Sequence, residues 1–284
     1  MVIDFTILGS NGDVIPLDGS EGYNVTTGLR GLGVPSTDVR IDNSAGDGGT
    51  WRSTRRGLRE IDLPLVILGA DRDETEEKLR RLAKALSDRY GTPYLRADYA
   101  DGSAYTIEVH YTGGAETVFG ADANETFVRW PITLSCPDPF WTSVQSVQFS
   151  LGYQSGNRGL LPRLDQLQVA PSGILGAYQV ENTGDVEAYP VWTLTGTATN
   201  VSITLNGVGF TYTETMTSSS RVTINTRLAT VADASNNNKY AFLGAAPKLF
   251  ALPPGTSTIN ITVSGADTST VISGYFNPRR EVLH

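Results

Sequence analysis

Residues 127–141 read FVRWPITLSCPDPFW, and their side chains alternate. Val128, Trp130, Ile132, Leu134 and Cys136 are apolar and share one parity, with Arg129, Thr133 and Ser135 between them. That period belongs to a pleated strand with one buried face. Pro137 and Pro139 end it, because neither has an N–H to donate and each drives the preceding residue toward extended backbone. The segment predicts a half-buried strand with a rigid exit carrying Phe140 and Trp141, closing one domain and opening another.

Outward from this strand, the 284 residues divide naturally into two domains of roughly 140. We expect them at 1–145 and 146–284. The linker falls within 142–177, where Gly152, Gly156, Gly159, Pro162, Pro171 and Gly173 interrupt short apolar pieces. The first half reads as strands around one helix. Phe5–Leu8 is a strand with a turn at Gly9–Gly12. Gly28, Gly31 and Gly33 lead into Pro35 and a polar loop instead of a helix, which argues against a phosphate-binding loop. Residues 36–57 read as a long loop. Ile61–Leu68 is a buried strand, with Pro64 placing part of it at an edge or bulge. A helix follows over 73–89, capped by Asp73 with Glu76 and stopped by Gly91 and Pro93. Its apolar stripe is Leu79, Leu82, Ala83 and Leu86, and Glu76–Arg80 and Glu77–Arg81 form i, i+4 pairs. Strands then fall near Tyr94–Tyr99, Tyr105–Tyr111 and Thr126–Cys136. The sum is an α+β domain of antiparallel sheets with one helix.

The second half is all-β. In VSITLNGVGFTY, Val201–Tyr212, an Asn206-Gly207 type I′ turn would pair Leu205 with Val208, Ile203 with Phe210 and Val201 with Tyr212. All six are apolar and lie on one face, so turn and periodicity give the same register. Arg221–Thr226, Ile259–Val263 and Thr270–Phe276 add short strands, with a break at Leu249–Gly255. A β-sandwich follows.

Two segments carry a family resemblance. The strand ending in CPDPFW resembles the close of the N-terminal domain of siphophage distal tail proteins, the tail-tip hubs of long, flexible phage tails. VENTGDVEAYPVWTL, residues 180–194, resembles the N-x-G-D…A-Y-P opening of that family's C-terminal sandwich. The likeness covers most of the chain in the family's order. It implies a structural virion protein whose N-terminal domain closes a hexameric ring continuing the tail tube, with DNA only passing through the channel. It also implies a galectin-like C-terminal sandwich pointing outward. The partners it implies are other copies of the chain, the tail tube protein, the tail-associated tip protein and the tape measure protein. The implied location is the phage tail tip, after synthesis in the host cytoplasm.

Composition narrows the function classes. The net charge is −8, which disfavours nonspecific capture of nucleic acid. Residues 61–144 carry 8 basic and 14 acidic side chains, while residues 145–284 carry 8 of each. The single cysteine, Cys136, excludes an intrachain disulfide and a cysteine zinc site, and its parity makes it a core residue. No apolar run approaches the ~20 residues of a membrane span, so no membrane insertion is expected. The N-terminus lacks the basic start of a signal peptide.

The chemistry-bearing residues form no convincing catalytic set, and we expect neither enzymatic activity nor a cofactor or metal. His110 shares a strand parity with Glu108, but the other histidine is His284. No nucleophile elbow is present. The acid groups Glu181, Asp185 and Glu187, and Asp98 with Asp101, read as solvated turn residues; Asp42, Asp47 and Gly48 lack EF-hand spacing. Two binding features stand out. Trp51 followed by Arg52, Arg55, Arg56 and Arg59 has the composition of an interface anchor, and is either an inter-subunit arm or a solvated loop. Tyr212, Tyr240, Phe242 and Tyr275 would be the stacking residues if the sandwich instead recognised host cell-wall saccharides.

Overall fold

In the computed structural model of the chain, which describes residues 3–116, 123–152 and 175–283, the alternating stretch is the ten-residue strand Phe127–Cys136. Val128, Ile132, Leu134 and Cys136 are buried and Trp130 partly so, while Arg129 is exposed. The chain packs as two units, residues 1–145 with 280–284, and residues 146–279.

The first unit runs β1 (Ile3–Leu8), β2 (Val14–Pro16), β3 (Tyr23–Val25), β4 (Thr37–Asn43), β5 (Gly49–Arg56), β6 (Arg59–Leu68), α1 (Arg72–Ala85), β7 (Tyr94–Tyr99), β8 (Ala104–Glu108), β9 (His110–Gly114), β10 (Phe127–Cys136) and β11 (Trp141–Ser143). One antiparallel sheet begins β2-β1-β7-β8-β11, and a second has the order β3-β6-β10-β9. Their apolar faces, with Leu82 and Ala85 of the helix and its C-cap Leu86, make one core that includes Tyr23, Ile61, Leu63, Leu65, Ile67, Ile132 and Leu134. Trp141 is buried in this core, so the rigid exit after Pro139 leads back into the first unit. The predicted strand Tyr105–Tyr111 is two strands: Val109 is fully buried between β8 and β9, which belong to different sheets.

Pro64 occupies the middle of a central strand, contrary to the edge or bulge expected for it. It lies opposite Pro131 in the β6–β10 ladder. The Pro64 carbonyl instead accepts from the Thr26 N–H, and that of Pro131 from the Ala115 N–H. Backbone polar groups of both prolines therefore face away from the shared ladder, at a rung where no N–H is needed.

The helix is shorter than expected and displaced toward the N-terminus. Asp71 is its N-cap, accepting from the Glu74 N–H at 2.9 Å, and Glu74 reaches back to the Ala70 N–H at 2.7 Å. Its end at Ala85 is set by Ser10, whose N–H donates to the Ala85 carbonyl and whose hydroxyl donates to the Ser87 carbonyl. Ala83 is exposed and Ala85 takes its place in the buried stripe. Glu76 pairs with Arg80 as expected, whereas Arg81 turns to Glu21 at 2.6 Å instead of to Glu77.

The second unit comprises β12 (Val147–Gly152), β13 (Leu175–Asn182), β14 (Val191–Thr195), β15 (Asn200–Leu205), β16 (Val208–Tyr212), β17 (Arg221–Asn225), β18 (Thr230–Asp233), β19 (Gly255–Ser264) and β20 (Val271–Phe276). Two antiparallel sheets, β12-β20-β14-β17-β18 and β13-β19-β15-β16, enclose a core drawn from both, with Trp192, Phe149, Ile203, Phe210 and Ile261 among its members. This is a β-sandwich. The hairpin has the expected register, Val201↔Tyr212, Ile203↔Phe210 and Leu205↔Val208, and positive φ at Asn206 (53°) and Gly207 (79°) gives the type I′ turn. In the N-x-G-D stretch, Asn182 is buried. Its amide donates to the Val186 and Leu252 carbonyls at 2.9 and 3.0 Å and its oxygen accepts from the Gly184 N–H. A Cβ on Gly184 would lie 2.4 Å from the Arg279 carbonyl oxygen, so that turn requires glycine.

After β20 comes the two-residue β21 (Arg279–Arg280), from which Arg280 onward belongs to the first unit. This corrects the expected boundary at the C-terminal end: Leu283 is buried in the first unit's core and its N–H donates to the Leu32 carbonyl. Most of the expected linker, with Gly156, Gly159, Pro162, Pro171 and Gly173, lies outside the described residues, as does His284.

Candidate functional site

Residues 36–57, expected as a loop, form an antiparallel ribbon of β4 and β5 that, among the described residues, joins no other sheet. Paired residues project from the same side of a ribbon. Val39↔Thr54 and Ile41↔Trp51 therefore define one face, and Asp38↔Arg55 and Arg40↔Ser53 the other. The register shifts between Arg40 and Ile41, which leaves Arg52 as the extra residue of a bulge. Trp51 is 62% exposed, and Val39 and Ile41 are exposed beside it. The Trp51 indole N–H donates to the Thr54 hydroxyl at 2.9 Å, which fixes the ring along the apolar face. On the opposite side Asp42 accepts from Arg52 at 2.6 Å, with Arg40 at 4.0 Å. The ribbon is thus two-faced, apolar on one side and charged on the other. A lone two-stranded ribbon in water is marginal, so its order depends on its foot.

That foot is built around Arg59. The sequence groups Arg59 with the exposed arginines of the arm, but the structure separates it from them. It starts β6 on the buried parity and is 2% exposed. Its guanidinium donates to the carbonyls of Pro139 (2.7 Å), Gly33 (2.6 Å), Glu281 (2.6 Å) and Gly31. Burial pulls the guanidinium below its usual pKa, opposed by Glu281 nearby. One side chain therefore pins the segment before the arm, the strand exit at Pro139 and the returning C-terminal segment. Arg56 adds a second tie, pairing with the Glu281 carboxylate and donating to the Thr37 hydroxyl.

Beside this foot lies a cleft of about 500 Å³ lined by Gly31, Val34, Pro35, Ser36, Asp38, Gly57, Leu58, Arg59 and Glu60. Val34 and Leu58 are each 59% exposed on it. Asp38 and Glu60 enter no ion pair among the described residues, and neither does Arg55 on the arm. Sequence reasoning singled out Trp51 and missed Val39, Ile41 and the cleft. The alternation of Val39 and Ile41 with Asp38, Arg40 and Asp42 was the available signal.

The catalytic possibilities are placed as follows. His110 lies between two acids, with Nε2 3.0 Å from Glu108 and Nδ1 2.9 Å from Asp88. The hydrogen bond to Glu108 is the main cause raising its pKa above the usual 6.5. Asp98 pairs with Arg96, Asp101 holds the Ser103 turn, and Glu181, Asp185 and Glu187 are exposed. Among the described residues no group of three or more His, Cys, Asp or Glu side chains is arranged to hold a metal. Cys136 is buried, and burial raises its thiol to about 12.

The four candidate stacking residues do not form one surface. Tyr212 is fully buried and its hydroxyl donates to Glu214. Tyr240 and Phe242 are exposed on a short 3-10 turn, where Lys239 lies 5.2 Å from the Phe242 ring centroid. Tyr275 is exposed on β20, three strands from β18, the strand beside that turn.

No protein-family model matches the sequence, and neither does any curated protein. Solved structures do resemble the chain. The SPP1 Dit protein, described as a paradigm of the hub adsorption apparatus in phages infecting Gram-positive bacteria, superposes with a TM-score of 0.68 at 14% identity, covering 97% of this chain and 98% of that one. Chains of the phage P2 baseplate in its activated conformation, solved with calcium and with strontium, superpose at 0.60 with 10% identity and complete coverage of both chains. At these identities the likeness establishes a shared fold across both units.

Proposed function

We propose that this chain is a structural protein of the tip of a long, flexible phage tail. It acts there as a ring-shaped hub between the tail tube and the tip or baseplate proteins. The observation that carries the reading is the full-length likeness of fold to a phage hub protein, both units included and in the same order. In this reading six copies close a ring through the first unit, DNA passes through its centre, and the galectin-like sandwich faces outward. The tail tube, tail-associated tip and tape measure proteins are the neighbours. The chain is non-enzymatic, is synthesised in the host cytoplasm and resides in the virion. The arm supports the self-association: a ribbon with Trp51, Val39 and Ile41 exposed on one face has the composition of an interface, and no other described residue covers it.

Light scattering across a concentration series tests this. The expected mass is about six times the 30.5 kDa chain, and Trp51→Ala with Arg55→Ala should lower it toward one chain. A mass of one chain at every concentration would overturn the ring.

A further inference from the structure

We infer that residues 280–283 are a strap seated in a peptide groove of the first unit, and that its seating sets the order of the arm. The strap bridges the two ends of the arm. On the incoming side, the Leu32 carbonyl accepts from the Leu283 N–H at 3.0 Å. On the outgoing side, Arg56 pairs with the Glu281 carboxylate, and Arg59 donates to the Glu281 carbonyl at 2.6 Å. Leu283 is buried in the core beneath, and the Arg280 guanidinium lies 4.7 Å from the Tyr105 ring centroid. The groove thus reads a short peptide by three features: a cation over an aromatic ring, a carboxylate beside a guanidinium, and an apolar side chain two residues on.

The arm is the element this strap can control. No helix or strand holds residues 281–283, so these contacts are what seat them. Apart from the strap and Arg59, the base of the ribbon is tied by the Gly57 N–H to the Ser36 carbonyl at 2.8 Å and by the Ser36 hydroxyl to the Leu58 carbonyl at 3.0 Å. Its first rung is Thr37↔Arg56. Arg56 donates across that rung to the Thr37 hydroxyl while Glu281 holds its charge. Releasing the strap therefore frees Leu32 before the arm and Arg56 at its end together. A ribbon as marginal as this opens as one unit, so a tie at the base adds to the stability of every rung. With the strap seated the arm is ordered, and with it released the arm frays as far as the Ile41↔Trp51 rung. The device works within one copy and stands apart from the ring reading.

Hydrogen exchange on the full chain tests this. Leu283→Asp expels the strap, whereas Glu281→Ala removes only its tie to Arg56. In Glu281→Ala the amides of β4 and β5, the Ile41↔Trp51 rung included, should exchange about tenfold faster, the effect of losing one charge-assisted bond, while those of β6 and β10 change by less than about twofold. In Leu283→Asp the gain should be larger. An acetylated, amidated Arg-Glu-Val-Leu peptide at millimolar concentration should then restore the native rates, and the same peptide with Asp in place of Leu should not. Rates are compared at a dilution where native chain and variant have the same mass by light scattering. Failure of the ring reading shows in that mass, and failure of the strap in the rates. Unchanged β4 and β5 rates in both variants would overturn the strap, and so would a change confined to Thr37 and Arg56. If Leu283→Asp also loses protection in β6 and β10, Glu281→Ala decides, because it leaves Leu283 and the Glu281 carbonyl in place. Failure of the Leu peptide to restore the rates, or success of the Asp peptide, would overturn the groove.

Discussion

Replacing Arg59 by Met should destabilise the first unit far more than any other change among the arm's arginines. The side chain makes four hydrogen bonds to backbone carbonyls while 2% exposed. Bonds from a charged donor contribute about 1.5–3 kcal/mol each, so the gross interaction is on the order of 6–12 kcal/mol. Against that stands the desolvation of the guanidinium, several kcal/mol for a buried ion, which Met does not incur. Met leaves the carbonyls of Gly31, Gly33, Pro139 and Glu281 without this donor, and each buried unsatisfied acceptor costs about 1–3 kcal/mol. Those at the cleft margin recover water. The net expectation is a loss of about 3–5 kcal/mol, in line with breaking other buried charged contacts. For a unit of this size, where each kcal/mol moves Tm by roughly 2–4 °C, the first unit's calorimetric transition should fall by roughly 6–20 °C. The sandwich transition should not move. Arg59→Lys should fall between, because one ammonium reaches fewer of the four carbonyls. A first-unit shift under about 3 °C for Arg59→Met, which is about 1 kcal/mol, would refute the clamp.

Two further outcomes follow from the same geometry. Leu283→Ala removes a side chain buried in the first unit's core, and should lower that unit's stability by about 2–5 kcal/mol in denaturant melts, although Leu283 comes after the whole sandwich in the sequence. His110 has its folded pKa raised above 6.5, first by Glu108 and then by Asp88. Its stabilising contribution is therefore complete below about pH 6.5 and is lost as pH rises through the folded value. First-unit melting temperatures at acidic and alkaline pH should differ more in the native chain than in His110→Gln, and an imidazole titration by NMR should place the midpoint above 6.5.

What could be read from the sequence follows the physics of each element. The hairpin at 201–212 was legible because Asn206-Gly207 and the two-residue period specify the same register. The strand at 127–136 was legible because one face is buried. The helix start was misplaced because Asp71…Glu74 and Asp73…Glu76 have the same spacing, and what distinguishes the first is a tertiary contact, the Thr75 hydroxyl donating to the Glu125 carbonyl in the turn that Asp71 opens. The arm was harder to read as strand: both faces are exposed, and its one periodic signal, Val39 and Ile41 alternating with Asp38, Arg40 and Asp42, is confined to β4. Arg59 was grouped with its neighbours by charge, although its parity matches Ile61, Leu63, Leu65 and Ile67, the buried series of β6. An arginine on a buried parity was the sign of a clamp.

The return of residues 280–284 to the first unit makes the sandwich an insertion, threaded into the first unit's chain between Gln145 and Arg280. On a ribosome the first unit cannot be completed when its own 145 residues have emerged, because the Glu281 carbonyl for Arg59 and the side chain of Leu283 have not yet been made. At about 5–20 residues per second the wait is roughly 7–27 s, long enough for the sandwich to fold first. The unit that holds residues 1–145 is thus finished after the sandwich. A clamp that closes only on the segment after the sandwich makes completion of the arm's foot a late event, one that waits for residues 146–279 to be made.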